Sequence, residues 1–268
     1  MDTSPNFIDK MRNGRICLGT IVSFTDPTVT EALCNLLDFI WIDAEHSPFS
    51  LETIQGHVMA TKGTNTTPLV RVPWNDPVLI KQVLDLGAAG VIVPMIRTAA
   101  EARLAIAACM YPPEGVRGYG PRRPSHYGEF GGSQFCKETN DSIITILQIE
   151  HIDGVNNIQE ILTVRGLKAM VLGMCDLANS MGLTGEPRHP RVIEAAGTVI
   201  DEARKAGIFA GVSIGDNVDQ LIEWADKGAQ WLGIGLDFLH LKHGVEMITN
   251  QVCKHLKQAP RHGFPSKG

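Results

Sequence analysis

Phe39-Ile40-Trp41-Ile42-Asp43-Ala44-Glu45-His46 is the stretch whose reading decides the fold. An unbroken apolar run is what a strand looks like when both of its faces are buried, as in parallel sheets covered by helices. This run stops abruptly at acid, acid, imidazole. In a closed parallel barrel the chemistry sits at the C-terminal ends of the strands, so function is to be sought where such runs break off. Leu147-Gln148-Ile149-Glu150 and Met170-Val171-Leu172-Gly173-Met174-Cys175-Asp176 break off in the same way, and Pro68-Leu69-Val70-Arg71 ends in a cation.

Outward from that stretch, short β-branched runs alternate with longer segments of helical spacing, the signature of repeated βα units. The strand candidates are Ile16 to Ser23, Phe39 to Asp43, Pro68 to Arg71, Gly90 to Pro94, Ile143 to Ile149, Lys168 to Leu172, Ile208 to Ser213 and Trp231 to Ile234. Eight strands close a barrel, and 268 residues suit one (β/α)8 domain, which commonly takes roughly 250. The chain therefore reads as one TIM-barrel domain over 1–268, with a short lead-in at 1–13 and a tail at 258–268. A long helix from Asp237 to about Leu256 precedes a tail, Ala259-Pro260-Arg261-His262-Gly263-Phe264-Pro265, expected to be loose or laid on a neighbour.

Local punctuation agrees. Asp26-Pro27 and Asn75-Asp76-Pro77 put a capping carboxylate before a proline at a helix start. Thr98-Ala99-Ala100-Glu101 has capping-box spacing, and Gly87, Gly207 and Gly228 fall where helices should end. One connection is out of rhythm. The long segment between the fourth and fifth strands contains Tyr111-Pro112-Pro113-Glu114-Gly115-Val116-Arg117-Gly118-Tyr119-Gly120-Pro121-Arg122-Arg123 and reads either as an anion-binding lid or as a solvated excursion.

Composition narrows the class. Hydrophobic residues make up 44% and charged residues 20%, which is ordinary for a globular enzyme. A net charge of -5 offers no basic field for nucleic acid or anionic lipid. The start, MDTSPNFIDKMRNGR, has no apolar signal-peptide core, and no stretch is long and apolar enough for a membrane span, so a cytoplasmic protein is expected. The six cysteines contain no CxxC pair and read as free thiols, and two sequons, at Asn65 and Asn140, carry little weight without an export signal.

The strand ends suggest a chemistry. Mg²⁺ or Mn²⁺, hard oxygen-loving cations, are held by one or two carboxylates with water and substrate filling the rest. Glu150 and Asp176 end adjacent strands and suit that role as a pair, whereas each alone reads equally as a helix-capping acid. A 2-oxo acid on such a metal becomes acidic beside its ketone. Arg71 would face the developing oxyanion as a fixed charge. His46 would be the base, oriented by Asp43 or Asp85, or else a rim histidine bonded to a backbone carbonyl. Lys168 lies at the start of its strand, the wrong end for an imine-forming lysine. The Gly233-Ile234-Gly235 turn, and His240 with His243, are weaker candidates for a phosphate and a metal.

WIDAEHSPF, LVRVPWND, LDLGAAGVIVPM, YPPEGVRGYGPRR, LQIEHIDGVNNI and GMCDLANSMG with GEPRHP, in order and at family-like spacing, resemble the HpcH/HpaI aldolase and citrate lyase family, the metal-dependent 2-oxo acid aldolases that include macrophomate synthase. The resemblance implies a barrel of the phosphoenolpyruvate/pyruvate type in a homo-oligomer, a hexamer with exchanged C-terminal helices or a trimer. It implies a pyruvate enolate formed at a divalent metal, Mg²⁺ or Mn²⁺ with Co²⁺ a further option. By position, Glu150 and Asp176 match the metal ligands, Arg71 the enolate-stabilising arginine, His46 the base, and Gln148 a substrate-contacting glutamine. Asp85 matches an acid that reaches the histidine from a neighbouring subunit, and Asp43 a further acid of the motif. One departure falls on the substrate: Gly173-Met174-Cys175 stands where the family has Gly-Pro-Ala or Gly-Pro-Gly, whose backbone amides, with Asp176 following, receive the 2-oxo acid carboxylate.

The expected activity is a carbon–carbon lyase, a class II pyruvate aldolase cleaving or forming 4-hydroxy-2-oxo acids from pyruvate and an aldehyde. Decarboxylation of oxaloacetate to the same enolate, as in macrophomate synthase, is the alternative. An acyl-CoA lyase and a non-catalytic 2-oxo acid binding barrel stand behind both.

Overall fold

The computed structural model describes residues 7–259, so the tail expected beyond Ala259 lies outside the described residues. Eight parallel strands close into a barrel in sequence order: β1 Cys17–Val22, β2 Phe39–Asp43, β3 Thr67–Arg71, β4 Gly90–Val93, β5 Ile144–Ile149, β6 Ala169–Gly173, β7 Phe209–Ile214 and β8 Trp231–Leu236. The helices are α1 Phe7–Arg12, α2 Thr28–Leu33, α3 Leu51–Ala60, α4 Pro77–Asp85, α5 Ala99–Cys109, α6 Gly132–Ser142, α7 Ile152–Asn156, α8 Ile158–Leu162, α9 Met174–Ser180, α10 Pro190–Lys205, α11 Val218–Asp226 and α12 Asp237–His255. Strand β4 stops before Pro94, which has no N–H for the ladder. Strand β8 runs on through Gly233-Ile234-Gly235, so that segment is strand and not the turn expected from its glycines.

Strand parity sorts the core into two layers. Cys17, Ile21, Phe39, Trp41, Leu69, Ile92, Ile144, Ile146, Ala169, Val171 and Trp231 point inward and fill the barrel. Their neighbours Val22, Ile40, Ile42, Val70, Val91, Leu147, Met170, Leu172 and Val212 point outward under the helices. The bottom of the barrel is plugged by α1, in what the sequence presented as a mere lead-in. Phe7 meets Phe39 and Trp231 edge to face at 5.4 and 5.3 Å. All three rings are fully buried, worth about 2–3 kcal/mol each by area. Lys10 and Arg15 pair with Asp38 at 3.2 and 3.0 Å and tie the plug to the start of β2.

The expected caps form. Asp76 accepts from the Val78 and Leu79 amides, Thr98 and Glu101 complete a capping box, and Asp26 accepts from Thr28. Gly87, Gly207 and Gly228 have φ of +94, +74 and +98°, as left-handed helix ends require.

The long connection after α5 is not a lid over the chain's own strand ends. It folds back at the opposite face, where Arg117 is buried over the Tyr111 ring at 4.6 Å and donates to Asp85 at 2.7 Å, and Arg123 donates to the Leu86 carbonyl. A cavity of 760 Å³ opens there, beside the starts of β4 and β5.

Helix α12 is anchored at its beginning. Asp237 accepts from the Ser23 and Phe24 amides and the Ser23 hydroxyl, and His240 meets Thr20 at 2.8 Å. Further on, Leu241, Val245, Ile248 and Val252 form an exposed apolar stripe, and the outward-facing Leu18 of β1 is 41% exposed. Among the described residues no helix is long and apolar enough to cross a membrane.

Candidate active site

The inward parity that buries Trp41, Leu69, Ile146 and Val171 delivers Asp43, Arg71, Gln148 and Gly173 to the barrel mouth, where Glu150 follows the last residue of β5. Asp43 and Arg71 are register partners on β2 and β3. Their contact is bidentate, Nε to Oδ1 at 2.8 Å and Nη2 to Oδ2 at 2.7 Å. The guanidinium also lies 5.1 Å above the Trp41 ring. Burial opposes its charge, but the hydrogen bonds and charge of Asp43, then Glu45 and Glu150, outweigh that and hold the Arg71 pKa above its ordinary value. It is a fixed cation.

Besides Asp43, two acids stand near it, Glu45 and Glu150. Glu45 Oε2 lies 3.0 Å from Arg71 Nη1 yet is a buried oxygen that receives no hydrogen bond. Its carboxyl is pushed up by burial, an effect that Arg71 and His46 oppose and that Asp43 and Asp176 reinforce. Glu150, 2% exposed, accepts from the Met95 amide at 2.9 Å and from the Gln148 side chain. Burial first, with the charges of Glu45 and Asp176 adding, pushes its pKa up to about 7 against those two hydrogen bonds. Met95 makes its contact from a left-handed conformation, φ +58°, one that a non-glycine residue adopts only where its surroundings hold it.

The sequence candidates divide. Asp43, Arg71, Gln148, Glu150, Gly173 and Asp176 assemble at the mouth. Asp43, however, does not orient the His46 ring: it holds Arg71 and accepts from the Glu45 and His46 backbone amides at 3.1 and 3.4 Å. The acid beside the exposed His46 imidazole is Glu45, at 3.8 Å. Asp85 sits at the far face of its own barrel, paired with Arg117, out of reach of His46 in the same chain. Met174 turns its side chain into the barrel–helix layer, leaving only its backbone to face the mouth, whereas Cys175 and Asp176 are exposed. His240 and His243 are not paired with each other: His240 meets Thr20, and the exposed His243 meets Asp216. Lys168 donates to the carbonyls of Asp141 and Ile143, away from the mouth.

Two site residues escaped the sequence reading. Glu45 shares the parity of Asp43, two residues on, and that spacing was the available signal. Met95 acts through its backbone and left no side-chain signal.

Residues 22–244 match the family model of HpcH/HpaI aldolase/citrate lyase. The chain belongs to that family. Membership makes it an enzyme of the aldolase and lyase class. Across 91% of its length it is 34% identical to a 4-hydroxy-2-oxo-heptane-1,7-dioate aldolase of Salmonella dublin, and it covers 92% of that relative. It is similar to a solved HpcH/HpaI aldolase of Desulfitobacterium hafniense DCB-2, at 28% identity and a TM-score of 0.84, covering 96% of this chain and 99% of that one. A family protein of Burkholderia cenocepacia J2315 superposes with a TM-score of 0.86 at 26% identity, covering 91% and 98%.

The donor chemistry fits a hard divalent cation. Glu150 and Asp176 offer oxygen only, burial and then the charges of Glu45 and Asp176 push the Glu150 carboxyl up, a cost that a bound cation would offset, and Glu45 adds a buried oxygen without a hydrogen-bond donor. Among the described residues no three His, Cys, Asp or Glu side chains come together closely enough to hold an ion by themselves. Two carboxylates, with the remaining positions left to water and substrate, is the usual arrangement for Mg²⁺.

Proposed function

We propose that the chain is a divalent-cation-dependent aldolase that cleaves or forms 4-hydroxy-2-oxo acids, with pyruvate on one side and an aldehyde on the other. The observation that carries the reading is the gathering of Glu45 and Glu150 about one buried guanidinium at the strand ends, with the charge of Asp176 acting on both acids. Glu150 and Asp176 would hold Mg²⁺ or Mn²⁺, which supplies Lewis-acid polarisation of the 2-oxo group when bound. Arg71, fixed by Asp43, places a permanent positive charge where the enolate oxygen develops. On cleavage His46 takes the proton of the C4 hydroxyl, the C4 oxygen becomes the aldehyde carbonyl, and the electrons of the C3–C4 bond pass into the enolate. Reprotonation at C3 then gives pyruvate. Glu45 stands beside the imidazole, its Oε2 3.8 Å from His46 Nε2. Gln148 and the uncapped backbone start of α9 at Gly173, Met174 and Cys175 are the groups that would orient the 2-oxo acid carboxylate.

Two readouts test this. With Mg²⁺ or Mn²⁺ the enzyme should exchange the pyruvate methyl protons in D₂O, and it should release pyruvate from 4-hydroxy-2-oxoheptanedioate, the compound named for the Salmonella relative. Absence of exchange sinks the proposal. Release of CO₂ from oxaloacetate faster than aldehyde from any 4-hydroxy-2-oxo acid would move the enzyme to the decarboxylating branch.

We further infer a homo-oligomer in which α12 leaves its own barrel. The stripe Leu241, Val245, Ile248 and Val252 has helical spacing, and Leu18 is left bare on β1 beside β8, so the outer β8–β1 face of a second copy is the surface that complements it. Asp85, paired with Arg117 at the far face of its own barrel, would meet His46 of a neighbour across such an assembly.

A further inference from the structure

The Met95 amide reaches Glu150 Oε1 at 2.9 Å from a left-handed backbone, φ +58°. A residue with a side chain leaves that region unless its neighbours hold it there. Strand β4 has ended at Val93, and Pro94 has no N–H to tie the turn down. The holding comes from the residues that follow. The Ile96 amide donates to the Gln148 carbonyl at 3.2 Å, and the Arg97 and Thr98 amides donate to the Glu101 carboxylate at 2.7 and 2.9 Å. The Arg97 carbonyl accepts from the Asn157 side chain at 2.9 Å, a bond across 60 residues of chain. Helix α7 lays Gly154 against the same turn: a Cβ there would stand 2.5 Å from the Ile96 carbonyl oxygen and 3.6 Å from the Arg97 Cα. Asn157 and Gly154 belong to LQIEHIDGVNNI, the stretch that carries Gln148 and Glu150, yet neither has a part in the chemistry above. Their local roles are slight. Asn157 stands at the start of α8 without a side-chain capping bond, and Gly154 lies inside α7, where a glycine weakens the helix.

We propose that Asn157 and Gly154 are positioning residues for Glu150: they clamp residues 96 and 97, the clamp keeps Met95 left-handed, and the Met95 amide fixes the rotation of the carboxylate offered to the cation. The proposal rests on the divalent-cation reading above and says what sets the affinity of that site. With Met95 on Oε1 and the Gln148 side chain on Oε2, each oxygen has a donor and the plane of the carboxylate is set from both ends. Without the Met95 amide, Oε1 is a buried acceptor with no donor, and the group turns about a broad terminal torsion. The acid at the end of β5 is thus held by its own following helices, acting through the turn after the neighbouring strand.

Asn157→Asp keeps the shape and suits a helix start equally well, but it has no N–H to give the Arg97 carbonyl. In EDTA-treated protein, deuterium uptake by the peptide covering residues 94–98, followed by mass spectrometry, should quicken by about two- to tenfold, the factor that one hydrogen bond is worth. Mn²⁺ affinity, titrated by electron paramagnetic resonance, should fall within the same factor of about two- to tenfold, because the clamp reaches the cation only through Met95. Adding Met95→Gly to Asn157→Asp should recover most of that affinity, since glycine takes a positive φ without steric cost. Gly154→Ala separates the clamp from a merely structural role: helix propensity alone predicts a more stable protein with Mn²⁺ binding untouched, whereas the clamp predicts weaker Mn²⁺ binding. Uptake at residues 94–98 indifferent to Asn157→Asp, or a lost affinity that Met95→Gly leaves unrecovered, overturns the proposal. Absence of Mn²⁺ binding by the unaltered protein, with uptake still quickened by Asn157→Asp, fails the cation reading and upholds the clamp on Met95.

Discussion

The Glu150 carboxylate occupies the space that a Cβ on residue 173 would need: Oε2 of Glu150 overlaps the position where a side chain on Gly173 would begin. The glycine is therefore required by the acid on the neighbouring strand, not by its own backbone. Gly173→Ala should push Glu150 off the Met95 amide, costing about 1–3 kcal/mol of stability and at least 100-fold in kcat. Urea unfolding with parallel turnover assays checks both, and an alanine variant of undiminished activity would show that Glu150 is free to move.

Asp43 and Arg71 form a buried ion pair with both hydrogen bonds made, and removing one partner leaves the other charge uncompensated. Asp43→Asn keeps the shape but removes the charge, so we expect a loss of about 2–4 kcal/mol and a fall in kcat of roughly 100-fold or more as the guanidinium swings toward Glu45. Retained pyruvate exchange would instead show that Arg71 is held well enough by Trp41 and Glu45.

Glu150 binds its proton more tightly in the folded chain, pKa about 7, than at its ordinary value of 4.5. The folded state then holds more protons between those values, so this group's contribution is full below about pH 4.5 and is lost as pH rises through 7. In EDTA-treated protein, Glu150→Gln should raise stability by about 1–2 kcal/mol at pH 8, a few degrees in Tm, with little change at pH 5. It should also abolish Mn²⁺ binding in a titration followed by electron paramagnetic resonance. A variant less stable at pH 8 would mean that the acid's hydrogen bonds outweigh its burial.

His57 carries the opposite sign. It is buried in α3, bonded to Thr30 at 2.8 Å and stacked on Phe49, and burial pulls its pKa below 6.5 against the Phe24 carbonyl and the charges of Asp237 and Asp26. The unfolded chain binds the proton more readily, so stability is complete above about pH 6.5 and lost as the pH falls below it. His57→Gln should flatten this acid limb in urea midpoints measured from pH 8 to pH 5, and an unchanged limb would assign it to other groups.

The apolar stripe on α12 predicts a specific failure. Ile248→Asp should reduce the mass seen by light scattering to that of smaller species and cut turnover with it, since a charge cannot enter an apolar interface without a partner. A monomeric wild-type enzyme would refute the exchanged helix outright.

Much of this was legible along the chain because it depends on period. Runs buried on both faces gave the strands to within a residue or two, parity gave the inward face, and the capping residues at Asp76, Thr98 and Gly87 marked helix ends through bonds that span only a few residues. Asp43, Arg71, Glu150 and Asp176 could be named as a candidate site because strand ends in a closed barrel must share one rim. Which of them touch was not legible. That Asp43 clasps Arg71 rather than turning His46, that Glu45 stands beside the imidazole, that Met95 offers its amide to Glu150, and that Tyr111 to Arg123 pack at the far face all depend on distances between strands and loops remote in sequence. Only closure of the barrel sets them. The sequence by itself determined the repeating architecture and the chemistry carried to its edge, because both follow from local periodicity and residue type. The tertiary structure alone decided the pairing of charges, because burial and register are properties of the closed sheet and not of any one strand.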